Sequence, residues 1–280
     1  MREPDPKRGE QGILDGGSTR RDFVRMLGLG GTLAVLPLAA CDDFGDPKPI
    51  DLGPTGPGPV TPTPGVTNLS FDLRTDVGIL RFLHANEQLE SLFYTAVVAS
   101  GSFNTFFNAD ERELFTDLRN VEIIHREVLR TALGSQALPD LSTSVNTATL
   151  NSILSSRASI VAMARTLEHN GVAGLNGNGK YLQDARNLLF AGKAASVEAR
   201  HAAALRDIAP PAGQGANVAF AGDDIVNTNG LDVKLEATEV VANIIATNLL
   251  LPGTLAAQPI SNLPTAAQGT PTPNFFPALP

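Results

Sequence analysis

Two Glu-x-x-His pairs limit what this chain can fold into more than any other feature. Glu198 and His201 lie in 194–205, AASVEARHAAAL, and Glu122 and His125 in 115–134, FTDLRNVEIIHREVLRTALG. Both stretches favour helix, and helical residues three apart are neighbours, so each pair projects a carboxylate and an imidazole from one face. The chain holds only four His, and two of them fall into this spacing. One such pair is weak evidence. Two are what a di-metal site in a bundle core requires, provided that two further helices each supply a Glu.

Those helices are sought in the middle of the chain, because Pro and Gly crowd both ends and leave about residues 70–255 as the globular part. In 76–100, Leu80, Leu83, Glu87, Glu90, Tyr94 and Val97 step by three or four and make one stripe. Asp76 reads as its N-cap and Gly101 as its stop. Glu87 falls in the centre of that apolar stripe, where a buried carboxylate needs a metal, a partner or a proton. A second helix is expected over 110–134, with Leu114, Leu118, Val121, Ile124 and Leu129 around Glu122 and His125. A connection containing Pro139 follows.

A third helix is expected over 148–169, with Leu150, Ile153, Leu154, Ile160, Val161, Ala164 and Leu167 in step and Glu168 near its end. Asn170-Gly171 follows at once, and Asn176-Gly177-Asn178-Gly179 reads as the turn to the next helix. The fourth is expected over 180–208, with Leu182, Ala185, Leu188, Leu189, Ala195 and Leu205 inward and Pro210-Pro211 as its stop. Val240, Val241, Ile244, Ile245 and Leu249 suggest a fifth within 231–251. The tail beyond Pro252 reads as irregular.

The N-terminus reads as an address. Arg20 and Arg21 precede a short apolar run, 26–40, which is below the ~20 residues a membrane-spanning helix needs; the pattern is that of a twin-arginine export signal. The run ends Leu38-Ala39-Ala40-Cys41, which resembles a bacterial lipobox, and Cys41 is the chain's only cysteine. Lipidation there would anchor the protein at the periplasmic side of the membrane. The stretch 46–67, DPKPIDLGPTGPGPVTPTPGVT, then acts as an extended tether. The expected organisation is a signal peptide at 1–40, lipidated Cys and tether at 41–70, a helical bundle at 71–252 and a Pro-rich tail at 253–280. The chain's formal net charge is −8, and residues 1–40 hold six Arg or Lys against five Asp or Glu, so the remainder is one unit more acidic. With no basic patch interleaved with aromatics, nucleic-acid binding is disfavoured.

In chain order the helices present Glu87, Glu122 with His125, Glu168, and Glu198 with His201. This order resembles that of ferritin-like di-iron carboxylate bundles. Tyr94, seven residues after Glu87, strengthens the likeness. The texts ILRFLHANEQLESLFYTAV and SVEARHAAALRD are similar to the exported bacterial ferritin-like family related to desiccation-related proteins, over about residues 74–250. The resemblance implies an all-α, ferritin-like four-helix bundle with an additional C-terminal helix. If the connectivity is ferritin's, helices two and three run parallel across a crossover. About fifteen residues at ~3.3 Å each reach ~50 Å, longer than a 25-residue helix at 1.5 Å per residue.

It also implies a ligand set of Glu87, Glu122, His125, Glu168, Glu198 and His201, with Glu122 and either Glu168 or Glu198 as bridges. Four carboxylates and two imidazoles suit two Fe or Mn ions better than Cu(I) or a thiolate-type Zn site. Glu90 is open between extra ligand, proton relay and salt-bridge partner of an Arg such as Arg200. Tyr94 reads either as a hydrogen-bond donor to a ligand or bound oxygen species or as a plain core residue, and His84 as a neighbour one turn before Glu87; His169 is expected at the surface. The expected chemistry is oxidation of Fe(II) or reduction of O2 or peroxide, with the membrane reached through Cys41 and a homodimer left open. Closed-cage iron storage is disfavoured by the tether and tail. The alternative is a non-catalytic binding or stress-protection module with a structural or vestigial metal site.

Overall fold

A computed structural model of the protein describes residues 68–215, 219–265 and 268. Arg20, Arg21, Cys41 and the tether to residue 67 lie outside the described residues, as does the end of the tail. The described elements run β1 (Leu69–Asp72), α1 (Asp76–Ala99), α2 (Phe103–Phe106), α3 (Ala109–Leu133), α4 (Thr147–Ile153), α5 (Arg157–Asn178), α6 (Ala185–Ile208), α7 (Ala237–Thr247) and β2 (Leu255–Asn262). The architecture is an all-α bundle of α1, α3, α5 and α6. The added helix α7 packs on α5.

Each long helix starts on a side chain that satisfies a free backbone N–H. Thr75 Oγ1 accepts from Gly78 N at 3.1 Å, Asn108 and Glu111 form a reciprocal capping box, and Ser156 and Asp184 cap α5 and α6. The cap of α1 is therefore Thr75, one residue before the expected Asp76. Asp76 serves the packing instead: its carboxylate accepts from Gln183 N (2.8 Å), Asp184 N (3.0 Å) and Asn187 Nδ2 (2.8 Å), tying the start of α1 to the start of α6.

Side-chain pairings fix the helix directions. Glu111 bonds Arg157 near the starts of α3 and α5. Further along, Glu122 and Glu168 both approach His201 Nδ1. Each pair is 46 residues apart, so the two helices run parallel with a constant offset. The crossover that permits this contains α4 and lays Leu138 and Leu141 against the first half of α1, where Gln88 Oε1 accepts from Leu141 N at 2.9 Å.

Several boundaries differ from the sequence expectation. The third helix is broken between α4 and α5 and then continues through Asn170-Gly171 to Asn178, so Glu168 is a mid-helix residue. The Asn/Gly run stays helical because the segment before α7 needs small residues there. Leu235 N donates to Ala173 O, and a Cβ on Gly177 would fall 1.8 Å from the Leu235 carbonyl oxygen. Helix α6 begins five residues later than expected, and its buried side is Ala191, Ala194, Glu198, Ala202 and Leu205. Leu188 and Leu189, expected inside, are exposed, as is Ile124 on α3; the inward direction is set by Glu198 and the small alanines beside it. Residues 255–262, expected as irregular tail, form β2, which pairs in parallel with β1. No described helix is long and apolar enough to cross a membrane.

Candidate metal centre

The expected stripe of α1 is wholly buried: Leu80, Leu83, Glu87, Glu90, Tyr94 and Val97 all face the bundle interior. It meets the inward faces of α3, α5 and α6, and six donor residues converge. Glu87, Glu122, His125 and Glu198 offer atoms within 4.8 Å of one another, and so do Glu122, Glu168, Glu198 and His201. Glu122 and Glu198 belong to both groups; Glu87 and Glu168 each belong to one.

The two Glu-x-x-His pairs are exchanged across the centre. His125 Nδ1 lies 2.9 Å from Glu198 Oε1, and His201 Nδ1 lies 2.9 Å from Glu122 Oε1. Each imidazole is closer to the other helix's carboxylate than to its own partner three residues before it, at 3.4 and 3.6 Å. These approaches are short but not aligned as hydrogen bonds. Both Nδ1 atoms, both oxygens of Glu122 and Glu198, and Oε2 of Glu87 and Glu168 have no hydrogen-bond partner among the described residues. Donor atoms thus point at shared positions between them.

Electrostatics show the strain of that arrangement. Burial raises Glu87 and Glu168 well above the usual carboxylate range, and neighbouring carboxylates, Glu198 foremost, push in the same direction. Burial would likewise raise Glu198, but His125 and His201 hold it well below that range. Both imidazoles resist charge through burial, yet the surrounding carboxylates win and raise them, through Glu122, Glu198 and Glu87 at His125 and through Glu122, Glu168 and Glu198 at His201. Buried groups of this kind need cations or protons.

Residues 75–210 match the family model of the ferritin-like domain. No curated protein and no solved structure matches the chain. The ferritin-like stretch spans α1 to α6 and contains all six converging residues, leaving α7 and the strand pair outside it. A ferritin-like domain with a buried carboxylate and histidine cluster is compatible with a metal site, and the donor set passes the chemical test: hard oxygens and imidazoles, orphaned and closed to water, in two overlapping groups.

Beside this cluster, Tyr94 donates from its hydroxyl to Glu168 Oε1 at 2.6 Å. Glu90 is fully buried, and neither of its oxygens has a hydrogen-bond partner. It belongs to neither donor group. Burial first, then the neighbouring Glu198 and Glu87 carboxylates, raises it well above the usual range. Of the three alternatives for Glu90, a salt bridge with Arg200 is not formed; Arg200 is exposed and donates to Ser196 Oγ. His84 is buried on another side of α1, where its Nδ1 accepts from Leu138 N at 3.4 Å. His169, expected at the surface, is half-buried with Nε2 3.1 Å from Arg206 Nη1.

The sequence reading missed Gly171. A Cβ there would lie 3.1 Å from Glu90 Oε1 and 3.5 Å from Glu198 Oε2, so glycine lets these carboxylates come up against α5. Its only signal was an Asn-Gly step, which reads more readily as a helix end.

Proposed function

We propose that Glu87, Glu122, His125, Glu168, Glu198 and His201 hold two divalent ions, Fe or Mn, with Glu122 and Glu198 shared between them. The exchanged pairing of the two Glu-x-x-His motifs carries this reading, because it gives each position one imidazole, one unshared carboxylate and both shared ones. Two divalent charges offset the four carboxylates. Such ions, when bound, supply one-electron redox steps toward O2 or peroxide; the reaction is oxidation of Fe(II) or reduction of the oxidant.

The chain's own groups support that chemistry. Tyr94 occupies Glu168 Oε1 and so leaves Oε2 as the oxygen aimed at the centre. The carboxylates Glu122, Glu168 and Glu198 are wholly shielded, whereas His125 and His201 retain some exposure. A small oxidant therefore approaches between α3 and α6. Export by the twin-arginine route, lipidation at Cys41 and a periplasmic position at the membrane belong to the same proposal, carried by the motifs around Arg20, Arg21 and Cys41. Anaerobic loading with Fe(II), followed by exposure to O2 or peroxide, tests it. Stoichiometric oxidant consumption that disappears in His201→Ala is expected; consumption no faster than free Fe(II) would overturn the redox assignment.

A further inference from the structure

A second cavity lies outside the bundle centre. Helix α5, α7 and the chain after α6 line this open depression of about 610 Å³, a volume within the range of small-molecule sites. Its polar wall carries Arg165, His169, Arg206 and Asp224. On α5, Ala162, Thr166, His169 and Ala173 recur every three or four positions along the cavity, on a side of the helix other than that of Glu168, and Arg165 stands at the edge of this row.

The two guanidinium groups differ in how they are used. Arg206 is buried, and each of its three nitrogens has a partner. Its Nε donates to Ala219 O, Nη1 to His169 Nε2 (3.1 Å), and Nη2 to Gln214 Oε1 (3.0 Å) and Asp224 Oδ1 (2.6 Å). Because a guanidinium only donates, that His169 nitrogen must accept and carries no proton. Arg165, by contrast, donates Nη1 to Ala209 O at 2.8 Å and makes no other hydrogen bond and no ion pair among the described residues. Its Nε is buried without an acceptor. That Nε is closed off from the cavity, whereas Nη2 has no partner among the described residues and is not buried, so Nη2 is the nitrogen that can donate to a carboxylate there.

Charge and lining select the ligand. Arg165 and Arg206 against Asp224 leave the wall with one net positive charge, in a chain whose formal net charge is −8. That surplus matches a monoanion better than a phosphate dianion. Ala173, Val233 and Leu235 supply an apolar remainder. We propose that this cavity binds a small apolar carboxylate, its head on Arg165 and its body along Val233 and Leu235, independently of the metal centre.

Calorimetric titration of the full chain with benzoate or hexanoate tests this, with benzyl alcohol and inorganic phosphate as comparison ligands. Expected is saturable binding of the carboxylates, absent for the alcohol, weakened about tenfold or more in Arg165→Gln and retained in Glu198→Ala. Thr166→Glu places a rival carboxylate at an exposed position of the wall, where folding is not at stake, and is expected to weaken binding likewise. Three results would overturn the proposal: no saturable carboxylate binding by the wild type, phosphate binding tighter than carboxylate, or benzoate affinity unchanged in Thr166→Glu and in folded Arg165→Gln.

Discussion

The Tyr94 hydroxyl donates a 2.6 Å hydrogen bond to Glu168 Oε1, across the bundle from α1 to α5, with both residues fully buried. It fixes which oxygen of Glu168 turns to the centre. Tyr94→Phe leaves that buried oxygen without its donor, at a cost of about 1–3 kcal/mol. Urea unfolding of the metal-free protein should show this loss, and the variant should bind metal more weakly while keeping its helicity. Unchanged stability and unchanged metal affinity would remove Tyr94 from the account.

Gly171 makes the opposite kind of prediction, because alanine normally favours a helix by up to ~1 kcal/mol over glycine. Here the added Cβ would stand 3.1 Å from Glu90 Oε1, 3.4 Å from Asn86 Nδ2 and 3.5 Å from Glu198 Oε2. Gly171→Ala is expected to retain its helical circular dichroism and lose metal affinity, as the two carboxylates shift to accommodate the methyl group. A variant with full metal content would show that Glu90 and Glu198 have room to spare.

Burial holds His84 neutral and lowers its pKa from 6.5 to about 4. The unfolded chain thus takes up this proton more readily than the folded one. The stability this residue contributes is whole above about pH 6.5 and is lost as pH falls through about 4, amounting to roughly 3 kcal/mol. His84→Gln should lose less stability than the wild type between pH 7 and pH 4, measured as the difference in unfolding free energy at each pH. Parallel pH profiles for the two proteins would contradict the assignment.

The inward stripe of α1 was legible because Leu80, Leu83, Glu87, Glu90, Tyr94 and Val97 alternate by helical period alone. The two Glu-x-x-His pairs were legible for the same reason. Glu168 was harder: the Asn170-Gly171 step after it has the local chemistry of a helix stop, and only the close approach of Glu90, Glu198 and Leu235 to α5 explains why small residues continue the helix there. Leu188 and Leu189 misled in the other direction, since apolar residues on α6 do not face inward merely by being apolar. The pairing of β1 with β2 joins residues nearly two hundred positions apart, and no local pattern announces such a contact. The exchange of His125 and His201 between the two motifs is likewise a tertiary fact, set by the crossing of α3 and α6.

Metal analysis of the chain decides whether the bundle core holds a pair of metal ions. The measurement is made on protein as isolated and again after anaerobic incubation with Fe(II) or Mn(II) and removal of free ions. Two ions per chain are expected for the wild type, and a loss of bound metal in Glu198→Ala with helicity unchanged. A folded wild type that holds no metal in either state, with stability indifferent to Fe(II) and Mn(II), would contradict that expectation.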